Sequence, residues 1–168
     1  IDSYDKTILF ELDKNSHLPL GKLAKSVRKS KQFVLYRIKK LEEDGIIKGY
    51  KAVIDMSKLG YKTHRIYVKF QNFNETTVNH FAEFLRHKKE VFALAIMNGK
   101  WDFAVFTGTK NINELRNTWN QILFNYKDKI KNYNFCVYEP IHFLTREFYL
   151  NKNKEINEIT YGGNDIVD

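Results

Sequence analysis

Cysteine, proline and long apolar runs are scarce in this 168-residue chain. The single cysteine, Cys136, has no partner for an internal disulfide. Its place in the apolar run NFCVY reads as a buried, inert thiol in a reducing, cytoplasmic setting. No apolar run approaches the ~18–20 residues that cross a bilayer, and no secretory pattern opens the chain. There is no Gly-rich phosphate loop, no CxxC, no HExxH, and no serine with an evident His–Asp pair. No residue is therefore singled out as catalytic or metal-binding, and no cofactor is implied.

Aromatic residues and positive charge are plentiful. Apolar residues make up 43 % and aromatics 15 %, enough for a real core and against global disorder. The net charge is +8, which points to a polyanionic partner. Residues 1–60 carry 13 basic and 8 acidic side chains, residues 61–150 carry 13 and 8, and residues 151–168 carry 2 and 4. The densest acid-free block is RKSKQFVLYRIKK, Arg28–Lys40, with six bases.

Helix signals fill the first 45 residues. Ser3 is a candidate N-cap before a helix with Ile8, Leu9 and Leu12 on one face. A second short helix starts near Pro19 and spaces Leu20, Leu23, Ala24 and Val27 helically. Ser30 caps a third helix running to about Asp44, with Gly45 as its C′ residue. IIKGYKAVID then alternates by two and reads as a short β-element. After a joint at residues 58–64 the order is strand, helix, strand, strand, helix, strand. The strands are HRIYVKFQN, VFALAIMN, WDFAVFTGT and a long last one, NYNFCVYEPIHFLTREFYL, that Pro140 bends or interrupts. The second helix of this half places Ile112, Leu115, Trp119, Ile122, Leu123 and Tyr126 on one stripe. This βαββαβ order is the ferredoxin-like pattern.

The expected class is therefore α+β. A winged helix-turn-helix domain spans 1–57, a ferredoxin-like domain spans 58–150, and a polar tail or linker spans 151–168. The middle strands are apolar on both faces, with Phe92, Leu94 and Ile96 expected opposite Val91, Ala93, Ala95 and Met97. Two helices cover one face only, so a second copy of the sheet is the simplest cover for the other.

At ~100° per residue, Val34, Ile38 and Leu41 of the third helix share a narrow inward arc. Gln32, Tyr36, Lys39 and Lys40 lie opposite, Leu35 at the edge, and Lys31 and Phe33 flank the N-terminal end. Lysines neutralise phosphates, Gln32 can pair with adenine, and Leu35 or Phe33 can touch a thymine methyl. This is the surface that a helix-turn-helix presents to the major groove of double-stranded DNA. Lys48 and Lys51 on the following wing would reach the backbone, and Arg28, Lys29 and Ser30 at the turn complete the candidate set.

LAKSVRKSKQFVLYRIKKLEEDGIIKGYKAVID resembles, without a gap, the DNA-binding domain of the Lrp/AsnC (feast/famine, leucine-responsive) transcriptional regulators. SYDKTILFEL resembles that family's opening helix, and NGKWDFAVFTGT resembles its ligand-sensing domain with a Gly-x-aromatic-Asp turn. The resemblance covers about residues 2–150. It implies dimers paired through the C-terminal sheets, often assembled to octamers. It also implies operator contacts from Lys31, Gln32, Leu35, Tyr36, Arg37, Lys39 and Lys40, and an amino-acid effector near Asn98, Gly99, Lys100, Trp101 and Asp102. Arg37 borders the inward arc, where it clamps a phosphate or braces the domain. Asp102 holds an effector amine or caps the turn. Two positions depart from the family: Arg28 stands where a turn glycine is common, and Phe33 where a small hydroxyl residue is common. An Arg forced to positive φ there costs about 1 kcal/mol. ITYGGNDIVD resembles the joint of archaeal relatives that fuse two such units, implying a chain that is half of a longer protein.

Two other functions fit parts of the sequence. Siroheme decarboxylases share the two-domain fold, but His17, His64, His80, His87 and His142 show no tight ligand spacing. An amino-acid-sensing or assembly module without DNA binding fits the second half and leaves the first three helices unexplained.

Overall fold

The computed structural model describes residues 1–137, 141–144, 146, 150 and 158–161. The chain divides into two compact units, one built on Ile1–Val53 and one on Ile54–Ile141.

The first unit is three helices: α1 Ser3–Lys14, α2 Leu20–Ser26 and α3 Lys31–Glu43. Its core joins Ile8, Leu23, Ala24, Val27, Val34 and Leu41. Leu9, Leu12, Leu20 and Ile38 pack around them, half-buried. The cap of α1 is Asp2 and not Ser3. The Asp2 carboxylate accepts the Asp5 N–H at 3.0 Å, and the Asp5 carboxylate accepts the Asp2 N–H at 3.0 Å. This reciprocal box satisfies two end donors, which a lone serine one residue later cannot do. The described Arg146 joins this unit by pairing its guanidinium with Asp13, which holds the Asp13 carboxyl below the usual carboxylate range.

The expected β-element over 46–55 does not form a strand. Alternation gives a strand two faces, but a ladder needs a partner. Here the Ile46 and Ile47 N–H groups turn back to the Leu41 carbonyl at 2.9 and 3.0 Å. Gly49 at φ +146 interrupts the extended run. The wing position is thus an irregular, exposed segment.

The second unit runs β1 Lys62–Phe70, α4 Glu75–Arg86, β2 Val91–Ile96, β3 Phe103–Thr109, α5 Ile112–Tyr126 and β4 Ile130–Val137. The sheet order is β2-β3-β1-β4 and its three pairings are antiparallel, which is the ferredoxin-like topology. Asn74 and Asn111 cap α4 and α5, accepting the Thr77 and Glu114 N–H groups at 2.8 and 3.0 Å. One sheet face packs on the helices through Ile66, Val68, Phe70, Phe81, Leu85, Phe103, Val105, Trp119 and Ile122. The other face carries Arg65, Tyr67, Ala95, Ala104, Phe106 and Cys136, brought side by side by the strand register.

Three expectations change here. The register shifts between Val91 and Ala93, so Phe92 joins Phe106 on the face away from α4 and α5 and not Leu94 on the helix face. Ile112 is 69 % exposed because it opens α5 ahead of the stripe, which begins at Leu115. Cys136 is half-buried and not buried.

The long last strand is read as two pieces, β4 and β5 Ile141–Leu144, with Tyr138 to Pro140 between them outside the described residues. Within the expected tail, β6 Glu158–Tyr161 pairs with β5 as a separate two-stranded sheet. The rest of the tail, including Gly162 and Gly163, lies outside the described residues.

Candidate nucleic-acid interface

The turn between α2 and α3 sets where α3 begins. Val27 ends α2, Arg28 takes φ +54, and the Lys29 N–H returns to the Ala24 carbonyl at 3.0 Å while the Arg28 N–H returns to Lys25 at 3.1 Å. This is a Schellman closure with arginine in the left-handed position. The end of α3 repeats it with Gly45 at φ +67: Ile46 N–H to Leu41 O at 2.9 Å and Gly45 N–H to Glu42 O at 3.0 Å. Ser30 then starts α3, its Oγ accepting the Phe33 N–H at 3.1 Å.

Val34 and Leu41 of α3 are buried and Ile38 half-buried, so the opposite side faces outward as the periodicity predicts. Lys31, Gln32, Lys39 and Lys40 are exposed, with Leu35 at 45 % and Tyr36 at 61 %. Arg28, Lys29, Ser30, Lys48 and Lys51 are exposed too. Lys25, Arg28, Lys29 and Lys31 line one cleft with Gly21, Ala24 and Ser30, and no carboxylate lines it. Among the described residues, none of these cations, nor Lys39 or Lys40, has an ion-pair partner. Tyr50 donates to Glu42 at 3.1 Å, which ties the segment carrying Lys48 and Lys51 to the end of α3.

Arg37 and Phe33 are placed differently. The Arg37 guanidinium donates to Asp5 at 2.5 and 2.7 Å and to Asp2 at 2.6 Å. Burial opposes ionisation of Asp5, but Arg37 and the Asp2 N–H outweigh it and hold its carboxyl below the usual range. The guanidinium thus ties α3 to the start of α1. Phe33 is half-buried, edge-on to Tyr4 at 5.6 Å between ring centroids.

The turn Asn98–Asp102 separates into two parts. Asn98, Gly99 and Asp102 line a cleft of about 490 Å³ with Lys69, Phe73, Ile96 and Met97. Asp102 is buried: one oxygen accepts the Phe70 N–H at 2.8 Å and the other meets Lys69 Nζ at 2.6 Å. It therefore braces β3 to β1, and its carboxylate is already occupied. Trp101 points elsewhere, stacked on Tyr67 at 5.9 Å, with Lys100 Nζ 5.5 Å from its ring. Lys69, Phe73, Ile96 and Met97 carried no local signal, since the cleft forms only where two separate segments, 69–73 and 96–102, come together.

His64 is buried, His80 is exposed, and His87 is exposed beside Glu83 at 3.1 Å. Among the described residues no group of three or more His, Cys, Asp or Glu could hold a metal ion, and no helix is long and apolar enough to cross a membrane.

Comparison with known proteins follows the same division. A family model described as winged helix-turn-helix DNA-binding matches residues 1–48. The proline dehydrogenase transcriptional activator of Rhodobacter capsulatus is 32 % identical over 118 residues, 69 % of this chain and 76 % of that protein. In fold, the chain is similar to an AsnC family transcriptional regulator from Agrobacterium tumefaciens, with a TM-score of 0.69 at 23 % identity over 95 % of this chain and 96 % of that one. It is also similar to a transcriptional regulator of Neisseria meningitidis solved as an L-Met complex, with a TM-score of 0.71 at 22 % identity over 82 % and 89 %. The capped basic helix, the ferredoxin-like unit and a relative matched over three quarters of its length agree: the chain belongs to the Lrp/AsnC family of DNA-binding transcriptional regulators, and its relatives are regulators and not enzymes.

Proposed function

We propose that this protein regulates transcription in the cytoplasm by laying α3 in the major groove of double-stranded DNA. The observation that carries the reading is the outward face of α3. Its lysines have no carboxylate partners among the described residues, and Gln32, Leu35 and Tyr36 stand between them. Unpaired cations supply the salt-dependent phosphate term, and the amide and apolar groups supply base contacts. Lys48 and Lys51 add backbone contacts from the irregular wing. Arg37 serves by fixing the angle of α3 against α1.

The sheet face that no described helix covers supports pairing of two copies, with Tyr67, Phe92, Ala95 and Phe106 buried between them. Two copies give two recognition helices and a two-fold related operator. The cleft at Asn98, Gly99 and Asp102 supports an effector site. The L-Met complex of the Neisseria protein makes a free amino acid the effector class to test.

Selection of bound duplexes from a randomised pool tests the reading. The wild-type chain should enrich a two-fold related site, and Gln32→Ala should relax preference at one base pair per half-site by about 1–3 kcal/mol. A pool that shows no enrichment, or a Gln32→Ala profile identical to wild type, would contradict it.

A further inference from the structure

Phe33 is the recognition-helix residue that the base-reading account leaves over, and its neighbours give it a different task. Its ring and that of Tyr4 meet edge to face, and Lys29 Nζ lies 4.8 Å from the Tyr4 centroid and 5.8 Å from that of Phe33. Arg37 Cζ is also 5.9 Å from the Phe33 ring centroid. Arg37 in turn grips Asp2 and Asp5, the residues that bracket Tyr4 at the start of α1. The backbone of Lys29 is held as well, by its N–H bond to Ala24.

We propose that Tyr4 and Phe33 are positioning residues. They form an aromatic platform that fixes the Lys29 ammonium at the α2–α3 turn for contact with a DNA phosphate. The inference rests on the DNA-binding reading above and assigns a function to the residues that do not read bases.

The physical need is clear from the surroundings. Lys29 shares a cleft with Lys25, Arg28 and Lys31, so like-charge repulsion drives its long side chain away from the turn. Among the described residues no carboxylate holds it back. The negative faces of two rings offer the compensating attraction without neutralising the charge. A carboxylate in their place would hold Lys29 equally well but cancel its attraction for phosphate. Phe33 thus trades a polar contact with a base for a lysine that loses less freedom on binding.

The test uses the full chain and a labelled mixed-sequence duplex, because phosphate contacts do not depend on base sequence. Affinity is measured by anisotropy over about 50–200 mM salt. Lys29→Ala should lower the steepness of log K against log salt by about 0.9. Tyr4→Leu and Phe33→Leu, which keep apolar bulk but remove the ring, should each weaken binding about two- to fivefold. Lys29→Ala should then cost less in either ring-deleted background than in wild type. Tyr4→Phe and Phe33→Tyr keep the rings and should retain the full wild-type cost of Lys29→Ala.

A Lys29→Ala loss that is the same with and without the rings overturns the proposal, since a merely structural ring would leave that loss unchanged. Ring-deleted variants that bind as wild type also overturn it. If Phe33→Leu fails to fold, Tyr4→Leu carries the test, because that ring is 38 % exposed. A wild-type chain whose binding does not vary with salt overturns the DNA-binding reading itself, and the platform with it.

Discussion

Replacing Arg28 by glycine should make this protein more stable while weakening its hold on DNA. Arg28 sits at φ +54, in a Schellman turn whose counterpart at the end of α3 uses Gly45 at φ +67. Both turns close with the same pair of backbone bonds, so the backbone need is the same and only the residue differs. A side chain at left-handed φ costs about 1–2 kcal/mol. Glycine removes that strain but gains about 0.5–1 kcal/mol of unfolded-state entropy. The net gain for Arg28→Gly is then about 0.5–1 kcal/mol, read as a rise in the urea midpoint at unchanged m-value. Arg28→Ala keeps the strained φ and should show no such gain, which separates strain from charge. Both variants lose one cation, so both should lower the salt slope of DNA binding by about 0.9 if Arg28 meets a phosphate. Equal stability of the Gly and Ala variants would refute the strain argument.

The mirror change, Gly45→Ala, should cost about 1 kcal/mol or more for the same reason, measured by the same urea titration. Ser30→Ala removes the acceptor for the Phe33 N–H and should cost about 1 kcal/mol, with increased amide exchange in the first turn of α3. Asp102→Ala leaves the buried Phe70 N–H without its acceptor and should cost about 1–3 kcal/mol by thermal or urea unfolding. Burial, and then Lys62, holds the His64 imidazole below its ordinary 6.5. A base with a depressed folded pKa contributes stability that is complete above 6.5 and is lost as pH falls from there toward the folded value. Stability should therefore decline below pH 6.5 by at most about 1.4 kcal/mol per pH unit, and His64→Gln should flatten that decline.

The parts legible in the sequence were those set by local chemistry. Ser30 and Gly45 mark the ends of α3 because cap and C′ residues answer to backbone donors and acceptors a few residues away. The inward arc of Val34, Ile38 and Leu41 follows from helical period alone. Misplaced features depended on distant partners. Asp2 displaced Ser3 as the α1 cap because it closes a reciprocal box with Asp5, a pair that Arg37, 32 residues beyond Asp5, also grips. Phe92 changed face because one bulge breaks the strict alternation that sequence reading assumes. The 46–55 segment alternated like a strand but met no ladder. Asp102 read equally as ligand or cap, and its contacts with Lys69 and Phe70 come from β1, more than 30 residues away, where no local pattern points.

The central claim is that the outward face of α3 carries the contact with DNA. It is tested most directly by comparing Lys39→Ala/Lys40→Ala with Lys127→Ala/Lys131→Ala, two pairs of exposed lysines whose loss changes net charge equally. Binding to one labelled duplex is followed over a salt series. The first pair should lower the salt slope by about 1.8 per protomer and weaken binding, while the second pair leaves both near wild type. Equal effects from the two pairs, or no effect from the first, would contradict the account.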